Sequence, residues 1–303
     1  MHIYTHSACL LHDTGPGHAE RPQRLGAVIE ALRTGFDDLD WCEAPRATRG
    51  QLLRAHDERL LASVLETKSD HRVQLDPDTV LSPASAEAAL RAAGAAVAAV
   101  DAVLADACAT AFCAVRPPGH HATPEAAMGF CLFNNVAVAA MHALDKHGLS
   151  RVAIVDFDVH HGNGTQAIFD AEPRVQYFSS HQMPLYPDTG GVRERGVGNI
   201  FNAPLTPGTG SRGFRTAWSE RLLPALDAFA PQLLLISAGF DAHWRDPLAQ
   251  LQLDAEDYAW ITGELRTLAA RHAQGRIVSM LEGGYDLQAL RECSVAHVGV
   301  LHG

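Results

Sequence analysis

Asp158, His160 and Asp241 are residues of the types that bind a catalytic metal ion. Asp158 and His160 lie two positions apart in D-F-D-V-H-H-G-N-G, so in an extended chain their side chains project to the same side. Asp241 ends the segment S-A-G-F-D and supplies a third ligand. Three nitrogen and oxygen ligands leave one coordination position open, which is typical of catalytic zinc. The alternative is a loop salt bridge with a helix-capping role. The neighbouring histidines and carboxylates favour the metal.

Two adjacent histidines and one tyrosine could perform the accompanying acid, base and hydrogen-bonding chemistry. His120 and His121 follow R-P-P-G, whose prolines stiffen the loop, and they are candidates for general acid/base catalysis. Asp156 and Asn163 are placed to bind the outer ring nitrogens. Tyr285, in E-G-G-Y, could donate a hydrogen bond to an oxyanion. The alternative role for Tyr285 is a packed aromatic side chain after a flexible turn.

These residues follow short apolar runs that we predict to be strands. The runs are residues 111–115, 152–155, 175–178, 233–236 and 277–281. Segments rich in helix formers alternate with them, at residues 21–33, 85–106, 137–147, 212–229 and 255–272. This alternation predicts an α/β fold with a mainly parallel sheet, in which the carboxyl ends of all strands lie at one edge. The sequence therefore predicts that the polar clusters meet at a single site, within one domain over residues 1–303.

The composition excludes several classes of function. Hydrophobic residues form 47% and charged residues 19% of the chain, as in an ordinary globular protein. The formal net charge of -11 argues against direct binding to nucleic-acid phosphates. No signal segment and no apolar run of membrane-spanning length is present, so we expect a soluble, cytoplasmic protein. The six cysteines are widely spaced, which predicts buried thiols rather than disulfides or a zinc ribbon.

The motifs together resemble the histone deacetylase superfamily. The resemblance extends from H-D-T-G-P-G-H at residues 12–18 to E-G-G-Y at residues 282–285, and includes R-P-P-G-H-H, G-F-C-x-F-N-N, D-F-D-V-H-H-G-N-G-T-Q and S-A-G-F-D in that order. It implies an arginase/deacetylase-like α/β fold with three αβα layers and a central, mostly parallel eight-stranded sheet. It also implies a zinc-dependent deacetylase, related to class II-like bacterial-type enzymes and to acetylpolyamine amidohydrolases.

The resemblance assigns a role to each candidate catalytic residue. Asp158, His160 and Asp241 match the ligands of one zinc ion, whose bound water is the expected nucleophile. His121 matches the general base that later acts as the acid, Asp156 matches the partner of His120, and Tyr285 matches the oxyanion donor. Asn163 stands where another branch of the family has Asp, so we expect the pKa of His121 to be raised less strongly than there.

The resemblance also implies an acyl-lysine tunnel and a structural ion. Gly129 and Phe130 match one wall of the tunnel, and Tyr186 stands where an aromatic residue makes the other, in place of the usual Phe. A structural potassium site is implied by the carbonyl oxygens of Asp156, Asp158 and His160 with Ser179 and Ser180. The expected substrate is an acylated lysine in a protein or peptide, most simply N6-acetyl-lysine, or an acylated small amine. The protein could form homo-oligomers.

Three other functions compete with this interpretation. A binuclear manganese hydrolase of the arginase type needs extra carboxylates, but Gly162 and His243 occupy the positions two residues after His160 and Asp241. A polyamine deacetylase of the same superfamily is the nearer alternative. One group of such enzymes has Glu at the position seven residues after the third ligand, where this chain has Leu248. An inactive acyl-lysine binder would have lost Tyr285, His121 or a ligand, and all are present.

Overall fold

An eight-stranded parallel sheet forms the centre of the molecule. The computed structural model describes residues 1–303. The strands are β1 (His2–Thr5), β2 (Asp40–Glu43), β3 (Val73–Asp76), β4 (Thr79–Leu81), β5 (Thr110–Cys113), β6 (Val152–Asp156), β7 (Val175–Gln182), β8 (Ile200–Leu205), β9 (Leu233–Ala238) and β10 (Ile277–Leu281). The sheet order is β2-β1-β5-β10-β9-β6-β7-β8, and every neighbouring pair is parallel. β3 and β4 form a separate antiparallel hairpin.

Eleven α-helices flank this sheet. They are α1 (Ala8–Leu11), α2 (Pro22–Gly35), α3 (Arg49–Leu52), α4 (Glu58–Leu65), α5 (Ser85–Leu104), α6 (Asn135–His147), α7 (Asn163–Phe169), α8 (Ser211–Ala217), α9 (Leu223–Phe229), α10 (Ala255–His272) and α11 (Leu287–His302). Helices α5 and α6 pack on β1, β5, β6, β9 and β10, while α11 packs against both α2 and α10. None of the helices is long and apolar enough to cross a membrane.

The central strands are buried on both faces, which is why their sequences are mainly apolar. Every residue of β6 and β9 is buried, and parallel strands covered by helices on both sides carry such runs. The alanine-rich α5 lies unusually close to the chain before α3. A Cβ atom on its Gly94 would lie 2.0 Å from the carbonyl oxygen of Pro45, so the close approach requires glycine. These contacts give the helix–sheet–helix layers of the fold.

The predicted elements are confirmed, with changes at their ends. All five predicted strands are present, and the predicted helices correspond to α2, α5, α6, α8 with α9, and α10. The segment predicted as one helix over residues 212–229 contains a π-helical turn at Trp218–Leu222 that separates α8 from α9. The strands β1, β2 and β8 and the β3–β4 hairpin were not predicted. All six cysteines are free thiols, of which Cys42 and Cys108 are only half-buried. The single-domain organisation stays a prediction.

Candidate active site and metal centre

The three candidate metal ligands meet where β6 and β9 end. The Nδ1 atom of His160 lies 3.1 Å from Oδ1 of Asp158 and 3.1 Å from Oδ2 of Asp241. Backbone N–H groups orient both carboxylates. Gly283 donates to Oδ2 of Asp158 at 2.8 Å, and Val159 donates to Oδ1 of Asp241 at 2.8 Å. One ligand atom from each residue is therefore directed at a common point.

The charges at this point fit a divalent cation. The side chains of Asp158 and Asp241 are fully buried. Burial and then the charge of Asp158 raise the pKa of Asp241, because two adjacent carboxylates in a dry environment repel each other. Buried carboxylates are stable when paired or bound to a metal. An imidazole nitrogen and two carboxylates form a donor set that suits zinc.

Two glycines allow the backbone to approach these carboxylates. A Cβ atom on Gly239 would lie 2.0 Å from Oδ2 of Asp158, and one on Gly283 would lie 2.0 Å from Oδ2 of Asp241. Any other residue at either position would displace a ligand oxygen. Sequence reasoning did not single out these glycines, although both belong to the motifs S-A-G-F-D and E-G-G-Y.

The tandem histidines contact the partners that the sequence predicted, one of which is a carboxylate and the other an uncharged amide. His120 Nδ1 lies 3.1 Å from Oδ2 of Asp156, and His121 Nδ1 lies 2.8 Å from Oδ1 of Asn163. Burial opposes protonation of His120, but the carboxylates of Asp158 and Asp156 outweigh it and raise its pKa. Burial, followed by the charges of His120 and His160, lowers the pKa of His121. An uncharged amide does not reverse this effect.

The hydrogen bond to Asn163 also determines which nitrogen of His121 can act as a base. Because the amide oxygen can only accept, Nδ1 of His121 carries the proton and Nε2 carries a free lone pair. His121 lines the cavity beside the candidate ligands. Gly129 permits this placement, because a Cβ atom on it would lie 2.5 Å from Cδ2 of His121. The arrangement leaves His121 able to take a proton from a group in the cavity.

Two buried residues that sequence reasoning missed support the histidine pair. The fully buried carboxylate of Glu282 accepts from the backbone N–H of Gly119 at 2.6 Å and of His120 at 3.2 Å. Burial raises the pKa of Glu282 to about 7. The hydroxyl of Tyr177 donates to Asp156 Oδ2 at 2.9 Å. The partners of both side chains are distant in the sequence, so no local pattern marks them.

Tyr285 lies where the sequence placed it, at the end of β10 beside the cavity. Its ring packs edge-on against Phe130, with centroids 5.8 Å apart, and the guanidinium of Arg24 lies 4.8 Å from the ring centroid. Its backbone N–H donates to Oδ2 of Asp246 at 2.8 Å. Burial raises the pKa of Tyr285 well above its usual value, so its hydroxyl stays protonated and can donate.

A cavity of about 230 Å³ is lined by all four residues that the sequence predicted for the substrate tunnel. Its walls are Asp78, His121, Gly129, Phe130, His160, Leu185, Tyr186, Leu248 and Tyr285. The rings of Tyr186 and His121 are perpendicular, with centroids 5.2 Å apart. Asp78 and Leu185 were not predicted. A mainly apolar slot that ends at polar groups is typical of a small-molecule site.

A second group of potential metal ligands is better explained by hydrogen bonds. His142 and His147 each place Nε2 2.7 Å from Oδ1 of Asp101. Arg54 donates to Nδ1 of His142 at 3.1 Å, because a guanidinium has N–H donors and no hydrogen-bond acceptor. Nε2 of His142 therefore carries the proton and donates it to Asp101, which leaves no lone pair there for a metal.

The comparison with known families agrees with this geometry. Residues 18–301 match the family described as the histone deacetylase domain. The chain belongs to the histone deacetylase family. The crystal structure of an HDA15 HD domain superposes with a TM-score of 0.95 at 34% identity, covering 100% of this chain and 91% of that one. The predicted family and the three-layer fold are thereby confirmed.

Several relatives in the histone deacetylase family are named for deacetylation or amide hydrolysis. A probable deacetylase of Archaeoglobus fulgidus is 40% identical over 94% of this chain and 81% of its own length. A histone deacetylase-like amidohydrolase of Pseudomonas aeruginosa is 39% identical, covering 97% of this chain and 84% of its own. The human polyamine deacetylase HDAC10 is 39% identical over 97% of this chain and 46% of its own. The protein is therefore a hydrolase of amide bonds, as predicted.

Proposed function

We propose that the protein removes acetyl groups from lysine side chains, or from amines of similar shape, with one zinc ion. The observation that carries the proposal is that the free Nε2 of His121 and the hydroxyl-bearing ring of Tyr285 line one cavity with His160. A base, an oxyanion donor and a metal-binding group around one slot suit hydrolysis of an amide at the end of a narrow chain.

Each residue contributes a defined part of the reaction. Zinc bound by Asp158, His160 and Asp241 would polarise the amide carbonyl and lower the pKa of water. Nε2 of His121 accepts a proton from the attacking water and returns it to the leaving amine. The hydroxyl of Tyr285 donates a hydrogen bond to the oxygen that gains charge in the transition state. The contact between Nδ1 of His120 and Oδ2 of Asp156 holds the ring of His120 beside that of His121.

The cavity walls favour an apolar chain as the part of the substrate that enters. Phe130, Leu185, Tyr186 and Leu248 supply apolar surface on several sides, as the methylene stem of lysine requires. Gly162 and His243 continue to argue against a second metal ion, because neither provides a carboxylate. We also propose a structural potassium site near Asp156 and Ser179, which pair on β6 and β7.

An acetylated polyamine is the second candidate substrate. A polyamine deacetylase is among the relatives, and the carboxylate of Asp78 lies in the cavity wall, where it could attract a cationic chain. Leu248, in contrast, provides no charge at the position where one group of polyamine enzymes has Glu. We therefore place the lysine substrate first.

The metal and the substrate can be tested on the same preparation. Protein stripped with a chelator should lose hydrolysis of an N6-acetyl-lysine peptide and regain it with one equivalent of zinc. The peptide should be hydrolysed with a higher kcat/KM than N-acetylputrescine or N8-acetylspermidine. Zinc-loaded protein that hydrolyses none of these amides would contradict the proposal. Two manganese ions per chain in the active protein would replace it with the binuclear alternative.

A further inference from the structure

Asp246 is a buried carboxylate that does not line the cavity but accepts hydrogen bonds from two residues that do. It belongs to the loop between β9 and α10, and its side chain is 7% exposed. Oδ2 accepts from the backbone N–H of Tyr285 at 2.8 Å, and Oδ1 accepts from that of Leu248 at 2.9 Å. One carboxylate thus links the candidate oxyanion donor to a residue of the tunnel wall.

We propose that Asp246 is a positioning residue that places the Tyr285 hydroxyl for the reaction. The inference rests on the proposed function, because it assigns a role through Tyr285. Asp246 does not line the cavity and therefore touches no reacting atom.

The backbone at Tyr285 needs such an attachment. Gly283 and Gly284 precede it, and Gly284 has φ +120°, a conformation that only glycine adopts easily. The first turn of α11 begins two residues later, at Leu287, so the N–H of Tyr285 has no helical partner. Its hydrogen bond to Asp246 is the contact that holds the main chain there. Arg24 holds the preceding residue, because its Nε donates a hydrogen bond to the carbonyl oxygen of Gly284 at 2.5 Å.

The geometry requires both oxygens of a carboxylate. Asp246 accepts two N–H groups from separate segments at once, with one oxygen for each. Asparagine has nearly the same shape but only one acceptor oxygen, and its NH₂ group would face an N–H donor. Asp246→Asn therefore breaks one of the two attachments while changing the side-chain volume very little.

The test uses substrates that differ in their need for an oxyanion donor. Fluorine withdraws electrons, so a trifluoroacetyl-lysine peptide stabilises its own oxyanion and depends less on Tyr285 than an acetyl-lysine peptide. We expect Asp246→Asn to lower kcat on the acetyl peptide by roughly 10–100-fold, as a displacement of about 1 Å can do. The loss on the trifluoroacetyl peptide should be much smaller, and Tyr285→Phe should show the same difference.

A double-variant cycle decides whether Asp246 acts through Tyr285. If it does, Asp246→Asn combined with Tyr285→Phe loses little more than Tyr285→Phe alone. Equal losses on both peptides, or losses that multiply in the double variant, would overturn the proposal. Asp246→Glu moves both acceptor oxygens by one methylene group. It should also lower kcat more on the acetyl peptide than on the trifluoroacetyl peptide, and it replaces the Asn variant in the test if that variant does not fold. Wild-type protein inactive on both peptides would contradict the proposed function itself.

Asp254 offers a charge control in the same loop. Its Oδ1 accepts from the backbone N–H groups of Glu256 at 3.0 Å and Asp257 at 3.3 Å, at the start of α10. Asp254→Asn removes a charge away from the cavity and keeps an acceptor oxygen for these two groups. It should leave the ratio of acetyl to trifluoroacetyl hydrolysis at the wild-type value.

Discussion

At the scale of single residues, the surroundings of the two histidines give them opposite tendencies to bind a proton. Asp158 and Asp156 bring negative charge to His120, whereas His121 is buried beside two imidazoles and its own partner, Asn163, is an uncharged amide. The pKa of His120 is raised and that of His121 is lowered, although both are buried. A neutral His121 is what a base at this position needs.

Asn163→Asp should therefore move the pH profile of the reaction. A carboxylate 2.8 Å from His121 Nδ1 would stabilise the imidazolium and raise the pKa of His121, by about one unit or more. The base must be neutral to accept a proton, so the rising acidic limb of kcat/KM should shift to higher pH by the same amount. The profile is measured on an acetyl-lysine peptide at equal zinc content. An unshifted limb would contradict the assignment of His121 as the base.

Gly283→Ala should weaken metal binding rather than unfold the protein. The added Cβ would lie 2.0 Å from Oδ2 of Asp241 and 2.6 Å from Oδ2 of Asp158, so both carboxylates must move. We expect zinc affinity to fall by about 10–100-fold, the usual effect of disturbing the groups that orient metal ligands. Competition with a zinc-binding dye measures it.

Gly263→Ala is the control for this glycine change. Gly263 lies inside α10, and a Cβ atom there meets nothing within 4 Å. Alanine should leave zinc affinity unchanged and raise the free energy of unfolding by about 0.5–1 kcal/mol, because glycine is a poor helix former. Equal zinc affinities of Gly283→Ala and Gly263→Ala would show that the close approach of Gly283 to the two carboxylates does not affect zinc binding.

At the scale of elements, the sequence predicted the five central strands of the sheet and missed the edge strands β2 and β8, together with β1, which lies next to β2. β6, β9 and β10 are buried throughout, so each consists mainly of apolar residues. β2 is D-W-C-E and is at most half-buried, and β8 contains an asparagine and a proline. Edge strands have fewer neighbours, and their sequences carry a weaker signal for that reason.

The same reasoning explains which site residues were found. Asp158, His160 and Asp241 follow central strands directly, so the rule that parallel strands end at one edge is enough to bring them together. Asp246 and Glu282 act by accepting backbone N–H groups, which every residue but proline has. Their partners leave no mark in the sequence, and only the folded chain identifies them. Tyr177, whose hydroxyl meets Asp156 across neighbouring strands, was missed for a similar reason.

The packing of α10 and α11 on β10 should make stability depend on pH through His297. This fully buried ring has Nδ1 2.7 Å from the Thr262 hydroxyl and Nε2 2.8 Å from the Ser279 hydroxyl. Burial lowers its pKa to about 3. The unfolded chain, with a His pKa near 6.5, binds this proton more readily, so the stabilising contribution is complete above about pH 6.5 and declines as pH falls toward 3.

His297→Gln should reduce that dependence. Between about pH 6 and 4, the slope of the unfolding free energy against pH should decrease by up to about 1.4 kcal/mol per unit, the effect of one proton. Urea denaturation at several pH values measures the slope. His71→Gln is the control, because that side chain is 77% exposed, and it should leave the slope unchanged. A slope unaltered in the His297 variant would show that this imidazole does not stay neutral in the folded protein.

At the scale of the whole molecule, the fold concentrates negative charge where its strands end. The sheet places β6, β9 and β10 next to each other, and the residues that follow them bring Asp158, Asp241 and Glu282 into one dry region. The imidazoles of His120 and His160 lie among these carboxylates and offset only part of their charge when no metal is bound. We therefore expect the folded protein to be stabilised by its metal and strained without it.

Asp241→Asn should make the protein more stable than wild type without metal and less stable than wild type with zinc. Asparagine can keep the hydrogen bond from Val159 while removing one of two repelling buried charges, so the metal-free variant should unfold at a higher temperature than metal-free wild type. With free zinc about 1,000 times above its dissociation constant, wild type should gain about 4 kcal/mol, and the variant, which has lost a ligand, much less. Differential scanning calorimetry with chelator and with zinc measures both states. A variant less stable than wild type in both conditions would mean that repulsion between these carboxylates does not govern the metal-free state.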